Sequence, residues 1–290
     1  MPTIALLGGT GSTGSAVLRC LLDTPLPNAL QPLTVSVLVR SRAKLLAALP
    51  RLAESAESLP FKLRVIEGTS CPSPSDGGND EIRNTTPAML SVLSGADVIL
   101  GCIGTNVSEY GITLIRDTAT SIIAALSHHR RSSPRSYTPP TMIQLRTASL
   151  NPVLSAKIPL VGRIMARWCL EYVYADLERG CNILAAHATN TESATRLFDF
   201  IIVDPPSIHD ANGTVPTGYE LLLGLGGDHE QQTTLSYADL GAAFVEIAAR
   251  RTELKGMEIG VMATGKVNET WDALTGYLKA GAKSRVWPLW

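Results

Sequence analysis

Cysteine is scarce in this chain and is not arranged for metal or redox chemistry. The 290 residues include five cysteines, which are scattered and form no C-x-x-C pair of the kind found in zinc sites and thioredoxin-like centres. Scattered, odd-numbered cysteines are typical of free thiols in a reducing compartment. The pattern therefore predicts a cytoplasmic protein with neither disulfides nor a metal site.

An excess of charge and long apolar runs are also missing. The formal net charge is -1 and only 18% of the residues are charged, whereas a nucleic-acid-binding domain carries a basic face. No apolar stretch reaches the roughly 20 residues that a membrane-spanning helix needs, and Met1-Pro2-Thr3 lacks the basic start of a secretory signal. We therefore expect a small-molecule ligand and neither a nucleic acid nor a membrane as partner.

A glycine-rich turn lies near the amino terminus. The apolar run Ile4-Ala5-Leu6-Leu7 leads directly into Gly8-Gly9-Thr10-Gly11-Ser12-Thr13-Gly14, and an apolar helical stretch follows. Strand, glycine turn and helix in this order are typical of dinucleotide pyrophosphate sites, because glycines let the backbone approach the phosphates and helix amides face the anion. The alternative is a turn without a ligand. We predict cofactor contacts from the turn residues Gly8, Thr10, Gly11, Ser12, Thr13 and Gly14.

Apolar, β-branched segments alternate with helical ones along the first two thirds of the chain. The pattern predicts strands near 3–8, 34–39, 62–67, 97–102, 141–147 and 199–203, and helices near 13–23, 42–56, 86–93, 112–127 and 158–186. Such alternation indicates an α/β fold with a Rossmann-type, doubly wound parallel sheet. Segments 71–87 and 128–140 are predicted to be surface loops because they are rich in turn-forming or basic residues.

The alternation changes after Asp204. Residues 207–232 are glycine-rich with little periodicity, and a helix near 237–250, a strand near 256–262 and a helix near 267–280 follow. We assign residues 1–204 to an NAD(P)-binding core and residues 205–290 to a small C-terminal lobe within the same domain. This lobe is expected to cap the strand ends and shape the substrate pocket.

The end of the second strand indicates which nicotinamide cofactor binds. Enzymes that use NAD place an acid there, which accepts from the ribose 2′-hydroxyl. This chain has Arg40-Ser41-Arg42 instead, and guanidinium groups are good donors to a phosphate. We therefore predict NADP(H) as the cofactor, contacted by Arg40, Ser41 and Arg42. The alternative for one of the arginines is the solvated face of a helix.

The exit of the fourth strand is a second candidate for cofactor contact. Gly101-Cys102-Ile103-Gly104 follows a buried run, and its small residues allow the backbone to pass close to a nucleotide. We predict cofactor contacts from Cys102, Ile103 and Gly104. A plain turn at the end of a strand is the alternative.

These segments together resemble a known superfamily. The Gly8–Gly14 turn, Arg40, the Gly101–Gly104 turn and Thr147-Ala148-Ser149 are similar to an atypical short-chain dehydrogenase/reductase with an NmrA-like, NAD(P)-binding core. The resemblance covers about residues 1–205. It implies that Pro205, at the exit of the sixth strand, lies beside the nicotinamide.

A narrower resemblance concerns two short segments in the second half. Tyr174-Ala175-Asp176-Leu177-Glu178 and Leu235-Ser236-Tyr237-Ala238-Asp239-Leu240-Gly241 resemble the averufin oxidase-type oxidoreductases of fungal aromatic polyketide pathways. This resemblance implies a substrate of the polycyclic phenol, anthraquinone or xanthone type. A homodimer is a further expectation.

The superfamily also implies catalytic residues. A serine after the fifth strand polarises the substrate carbonyl, and a tyrosine followed four residues later by a lysine donates the proton. Ser149 matches the serine, and Tyr172 and Tyr174 are both candidates for the tyrosine, with a core-edge aromatic as the alternative for each.

The lysine of that pair is absent. Asp176 follows Tyr172 by four residues and Glu178 follows Tyr174 by four, so each tyrosine shares a helix face with a carboxylate. A carboxylate raises the pKa of a neighbouring phenol, which is near 10 when unperturbed. The tyrosine is then a neutral donor or a substrate contact, and Lys157, just before the helix, is our candidate for the missing charge.

Three functions fit these observations. The one we favour is an NADP(H)-dependent oxidoreductase that acts on a carbonyl, quinone or enone of a polycyclic aromatic metabolite. The second is an enzyme of the same fold without net redox chemistry, such as an isomerase, dehydratase, cyclase or ring-opening enzyme, which the missing lysine favours. The third is an NADP(H)-sensing regulatory protein.

Overall fold

The computed structural model describes residues 1–54, 58–72, 84–105, 107–156, 158–188, 196–210, 215–224, 233–269 and 271–286. The strands in these segments are β1 (Thr3–Leu7), β2 (Thr34–Val39), β3 (Lys62–Glu67), β4 (Val98–Gly101), β5 (Thr141–Leu145), β6 (Asp199–Asp204), β7 (Ser207–His209), β8 (Tyr219–Leu222), β9 (Thr234–Ser236) and β10 (Glu258–Ala263). The helices are α1 (Ser12–Asp23), α2 (Arg42–Ala48), α3 (Pro87–Leu93), α4 (Leu114–Ser132), α5 (Pro152–Ala156), α6 (Leu160–Cys169), α7 (Glu171–Ala188), α8 (Tyr237–Ala249) and α9 (Trp271–Val286).

Eight strands form one sheet in the order β3-β2-β1-β4-β5-β6-β10-β8. All neighbouring strands are parallel except β8, which pairs antiparallel with β10 at one edge. The strand order reverses between β1 and β4, which is where doubly wound sheets bind their ligands. The predicted Rossmann-type fold is therefore confirmed.

Helices cover both faces of the sheet, and alternate residues of β1 show the two sides. Ile4 and Leu6 pack in a core with α1 and α8, whereas Ala5 and Leu7 pack in a second core with α3, α4 and α7. Side chains of a strand alternate between faces, so a strand covered on both sides is apolar throughout. This explains why the strands were recognisable from apolar runs.

The residues after 204 are part of this architecture. Strands β10 and β8 extend the main sheet, and β7 and β9 form a separate parallel pair. Helix α8 crosses α1 at close distance because Gly241 has no side chain: a Cβ there would lie 2.6 Å from the carbonyl carbon and oxygen of Ala16. The C-terminal part thus helps to hold the helix that begins at the glycine turn.

Two helices, α4 and α2, end at residues other than those predicted. Helix α4 continues to Ser132, so residues 128–132 are helical and the loop prediction is wrong there. Basic side chains in the last turn suit the negative end of the helix dipole. Helix α2 ends at Ala48, since Pro50 disfavours helical backbone at Leu49, whose φ and ψ are -136° and 75°.

The long predicted helix over residues 158–186 is two helices. The helix is interrupted at Leu170, whose φ and ψ are -106° and 16°, so that α6 ends at Cys169 and α7 begins at Glu171. The final helix lies at Trp271–Val286, later than the predicted 267–280. Part of the predicted loop over 71–87, residues 73–83, lies outside the described residues.

Among the described helices, none has the length and apolar character to cross a membrane. The five cysteines are all free thiols.

Candidate cofactor and catalytic site

The glycine turn depends on two positions where a side chain does not fit. Gly8 has a φ of 91°, in the left-handed region that favours glycine, and its carbonyl accepts a 3.0 Å hydrogen bond from the amide of Gly11. A Cβ on Gly14 would lie only 2.3 Å from the carbonyl oxygen of Gly8. The first turn of α1 therefore lies directly against the end of β1.

The amino terminus of α1 faces outward without a side-chain cap. Gly11 occupies the cap position, no side chain accepts from the first amides, and the first turn contains no acidic residue. Thr10, Gly11 and Ser12 are exposed, whereas Thr13 and Gly14 are buried. Uncapped amides at the positive end of a 12-residue helix are donors for an anion such as a pyrophosphate.

The exit of β4 forms the neighbouring wall. Cys102 donates its amide to the carbonyl of Leu7 at 3.0 Å, and a Cβ on Gly8 would lie 2.9 Å from the carbonyl oxygen of Cys102. The Cys102 side chain is buried, and burial raises the pKa of its thiol, so it is not a nucleophile. Only its backbone can border a ligand. Gly104, by contrast, has open space around it.

The predicted arginines lie at the carboxyl end of β2. Arg40 and Arg42 are both exposed, and the Ser41 hydroxyl caps α2 by accepting from the amide of Lys44 at 3.3 Å. The amide of Arg42 donates to the carboxylate of Glu67 at 3.0 Å. An acid is thus present at this edge after all, and it comes from the end of β3.

Glu67 was missed because the prediction considered only the residues that follow β2. Its signal is the parallel register of β2 and β3, in which Val39 pairs with Glu67. Parallel strands end at the same edge of a sheet, so the last residue of β3 lies beside the first residues after β2.

Ser149 and Tyr174 are brought together at the exit of β5. A short 3-10 turn, Ala148–Leu150, follows the strand, and the side chains of Ser149 and Thr147 are polar neighbours of the Tyr174 hydroxyl on α7. Burial raises the pKa of Tyr174, and these two polar neighbours lower it by less, so the net shift is upward. The phenol is therefore neutral at physiological pH. Thr147 had not been singled out as a site residue.

Tyr172 lies on another side of α7. Its ring meets Tyr110 edge-on, with centroids 5.7 Å apart, and the guanidinium of Arg285 lies 5.4 Å from its centroid. The structure therefore does not place it with the Ser149–Tyr174 pair. Lys157, the candidate for the missing charge, lies outside the described residues.

The two carboxylates that follow the tyrosines differ in environment. Asp176 is buried and accepts from the amides of Ile115 at 2.8 Å and Arg116 at 3.2 Å, which caps the amino terminus of α4. Its role is structural. Glu178, four residues after Tyr174, is exposed. The position at which the superfamily has lysine thus carries a solvated carboxylate.

A buried polar network fixes the turn that carries Ser149. Arg146 donates to both carboxylate oxygens of Asp204, at 2.8 and 2.6 Å, and to Glu258 at 2.5 Å. Asn151 donates to the same two carboxylates at 2.9 Å each. Burial raises the pKa of the fully buried Asp204 and the Arg146 guanidinium lowers it. The residues before and after Ser149 are in this way tied to β6 and β10.

Pro205 is tied to the same turn. Its carbonyl accepts from the amide of Ala148 at 2.9 Å, so the exit of β6 lies beside the residue that precedes Ser149. Cofactor contact by the Pro205 side chain stays a prediction.

No protein-family model matches this chain. It is 41% identical over its full length to an averufin oxidase A of Dothistroma septosporum, covering 94% of that protein, and 42% identical over 97% of its length to an averufin oxidase of Emericella nidulans, covering 89% of it. A short-chain dehydrogenase/reductase of Veillonella parvula, solved in complex with NADP, has a TM-score of 0.56 at 18% identity, with 93% of this chain and 98% of that chain covered.

The sheet order and the glycine turn define a Rossmann-type, doubly wound fold, which the chain shares with the short-chain dehydrogenase/reductase of Veillonella parvula. The sequence identity to averufin oxidases, which extends over the full chain, decides the family. The chain belongs to the averufin oxidase family of oxidoreductases, and the resemblance predicted from its sequence is confirmed.

Proposed function

We propose that the protein is an NADP(H)-dependent oxidoreductase that acts on a carbonyl, quinone or enone of a polycyclic aromatic, polyketide-type metabolite. The observation that carries this proposal is the closeness of the Ser149 side chain to the Tyr174 hydroxyl. Ser149 follows β5, and the glycine turn follows β1, so both lie at the carboxyl edge of the same parallel sheet. A cofactor held by the turn and a substrate held by the pair can meet at this edge.

The fit of a dinucleotide rests on the shape of the glycine turn. Side chains are excluded at Gly8 and Gly14, and the uncapped amides of α1 are left for the diphosphate. Arg40 and Arg42 then favour NADP(H), since each offers a positive group at the end of β2. When bound, the nicotinamide supplies or accepts a hydride.

The residues of this chain hold the substrate oxygen and its proton. Ser149 and Tyr174 donate hydrogen bonds to the oxygen and polarise the carbon to which it is bonded. Because Tyr174 is neutral, it can give its proton to the oxygen as negative charge develops there in the direction of reduction. Thr147, a polar neighbour of the same hydroxyl, helps to orient it.

The experiment measures NADPH consumption by the purified protein with a polycyclic hydroxyquinone. We expect turnover in the wild type and none in Gly11→Asp, because the new carboxylate would face the diphosphate. Gly276→Asp is the matched control, since a Cβ at this exposed position in α9 meets no atom within 4 Å. Equal turnover in the two variants would contradict the proposed cofactor site.

A non-redox enzyme is the second candidate, and one observation favours it. Glu178 occupies the position of the usual lysine, so nothing at that position lowers the pKa of Tyr174 or fixes a nicotinamide ribose. An isomerase, dehydratase, cyclase or ring-opening enzyme needs only a hydrogen-bond donor pair there. Turnover of substrate that persists after all nucleotide has been removed would select this candidate.

A further inference from the structure

Helix α6 turns an apolar side to the solvent. Its large apolar residues recur at helical spacing, so that they form one stripe along the helix, and each of them is 43% to 74% exposed. We call this stripe the α6 face: Leu160, Val161, Ile164, Met165 and Trp168. Among residues Leu160–Cys169, all of them described, only Cys169 is buried. A continuous exposed apolar stripe of this kind marks a surface that binds something.

The helix that carries the α6 face is held by its neighbour α9. A Cβ on Gly281 of α9 would overlap the carbonyl oxygen of Cys169, so the two helices are in direct contact. The Arg285 guanidinium of α9 lies 5.7 Å from the centroid of the Trp168 ring and pairs with Glu171 at 2.5 Å. The exposed side chains therefore project from a helix that is packed on its inner side.

Positive charge borders the α6 face. Arg163 follows Leu160 by three residues and Arg167 follows Ile164 by three, so both arginines lie along one edge of the stripe. No acidic residue occurs in α6, all of which the structure describes. Because the whole chain has a net charge of -1, this excess of positive charge is local. Exposed basic side chains follow on the neighbouring helix α9, at Lys279 and Lys283.

We infer that the α6 face docks on an anionic lipid surface, with the helix lying in the plane of the headgroups. Helices that bind in this way combine an apolar side, often with tryptophan, and basic residues on the other side. The apolar side chains of the α6 face enter the boundary between headgroups and acyl chains. The guanidinium groups of Arg163 and Arg167, which extend on long flexible stems, pair with lipid phosphates and carboxylates.

The distribution of charge argues against a second copy of the chain as the occupant. In a symmetric dimer the same face meets itself, which would bring Arg163 and Arg167 of one copy toward those of the other. The first acid that follows α6 in the chain, Glu171, already pairs with Arg285. An anionic lipid layer supplies the opposite charge to both arginines at once.

Such a contact is peripheral and does not need a spanning helix. The expectation of no membrane partner rested on the lack of an apolar run of roughly 20 residues, whereas a helix that lies on a membrane needs only one apolar side. Among the described helices none can cross a membrane, so the docking is to the surface alone. It goes beyond the proposed function, since neither the glycine turn nor Ser149 takes part in it.

Sedimentation of the full chain with lipid vesicles tests the docking. The vesicles consist of phosphatidylcholine alone or of equal parts phosphatidylcholine and phosphatidylserine. We expect binding to the mixed vesicles that weakens as salt is raised, and much weaker binding to the neutral ones. Arg163→Gln and Arg167→Gln should each lower the partition coefficient about fivefold, the effect of one basic residue near an anionic surface. Val161→Ser should lower it about tenfold, because an aliphatic side chain no longer leaves water.

The chain offers matched controls for both kinds of substitution. Val215→Ser makes the same change as Val161→Ser at a residue outside α6 that is 73% exposed, against 74% for Val161. Arg131→Gln removes an exposed arginine from the end of α4. Both controls should bind the mixed vesicles like the wild type, and circular dichroism melts confirm that each variant is folded.

Three results would overturn the docking. The first is a wild type that binds neither kind of vesicle, or both equally well. The second is a loss of binding in Val215→Ser and Arg131→Gln as large as in the α6 variants. The third is a lipid-free wild type with twice the mass of Val161→Ser in analytical ultracentrifugation, which would assign the α6 face to a second copy of the chain.

Discussion

The carboxylate of Glu67 accepts a hydrogen bond from the backbone amide of Arg42, with 3.0 Å between the nitrogen and the oxygen. An amide and two arginines at the end of β2 are groups that a 2′-phosphate can use, and Glu67 competes for the amide and repels the phosphate. The acid that NAD-preferring enzymes place after the second strand is here supplied by the third. We therefore expect cofactor preference to depend on a balance between Arg40, Arg42 and Glu67.

Glu67→Gln is expected to shift this balance toward NADPH. Removing the negative charge should tighten NADPH binding about two- to fivefold, the size of an exposed charge interaction, and leave NADH binding nearly unchanged. The two dissociation constants are measured by nicotinamide fluorescence. Glu54→Gln neutralises another exposed acid and is the control. If Glu67→Gln tightened NADH as much as NADPH, the carboxylate would not act on the 2′-phosphate.

Tyr174→Phe is expected to lower kcat much more than it changes KM. The variant removes a hydrogen bond that strengthens as charge develops on the substrate oxygen, which typically costs about 100- to 1,000-fold in rate. Ser149→Ala should also lower kcat. The loss of kcat in the double variant should be smaller than the product of the two single losses, because both hydroxyls bind one substrate oxygen. Tyr172→Phe keeps its ring and is the matched control. If kcat fell more in Tyr172→Phe than in Tyr174→Phe, Tyr172 and not Tyr174 would be the proton donor.

Glu178→Lys tests the absent lysine. A cation four residues after Tyr174 on α7 lowers the pKa of the phenol, which burial holds above its ordinary value of about 10. Reduction that uses the neutral phenol as donor is lost as pH rises through that pKa. The alkaline limb of the kcat profile is therefore expected at lower pH in Glu178→Lys than in the wild type. Glu178→Gln, which removes charge without adding a cation, should shift it less, and an unmoved limb in both would contradict the expected coupling between position 178 and the Tyr174 phenol.

The sequence identifies the strands and the ligand edge well, for a physical reason. Strands β1, β2 and β4 are covered on both faces, so every residue in them had to be apolar or small, and the pattern is unambiguous. The apolar pattern does not show which of Tyr172 and Tyr174 belongs to the candidate site. Both flank the sheet-facing stripe of α7, and only the path of the turn after β5 decides which of them meets Ser149.

Features that depend on register or on distant partners were not predictable. Glu67 reaches Arg42 through the alignment of β2 with β3, and Asp204 meets Arg146 and Asn151 through the alignment of β5 with β6. Such pairs are separated by 25 to 58 residues in the chain, so spacing alone carries no signal for them. The packing of Gly281 in α9 against Cys169 in α6 likewise joins segments that are far apart in the chain.

Arg146→Met is expected to destabilise the fold strongly. Asp204 is fully buried and would lose its bidentate partner, and removing one member of a buried pair typically costs about 3–5 kcal/mol. Urea unfolding measures the loss. Asp204→Asn in the Arg146→Met background removes the stranded charge, so the double variant should recover part of the stability. If the double variant were no more stable than Arg146→Met, the ion pair would not be the source of the effect.

Gly241→Ala is expected to weaken cofactor binding from the far side of α1. A Cβ on Gly241 would lie 2.6 Å from the Ala16 carbonyl and 2.9 Å from the Val17 amide, so α8 and α1 must separate. That displacement moves the helix whose first turn forms the glycine site, and both the free energy of unfolding and NADPH affinity should fall. Gly276→Ala, in open space on α9, is the matched control and should leave affinity unchanged while stabilising its helix by up to about 1 kcal/mol. NADPH affinity that stays constant in Gly241→Ala while stability falls would show that α8 supports the fold without positioning the cofactor turn.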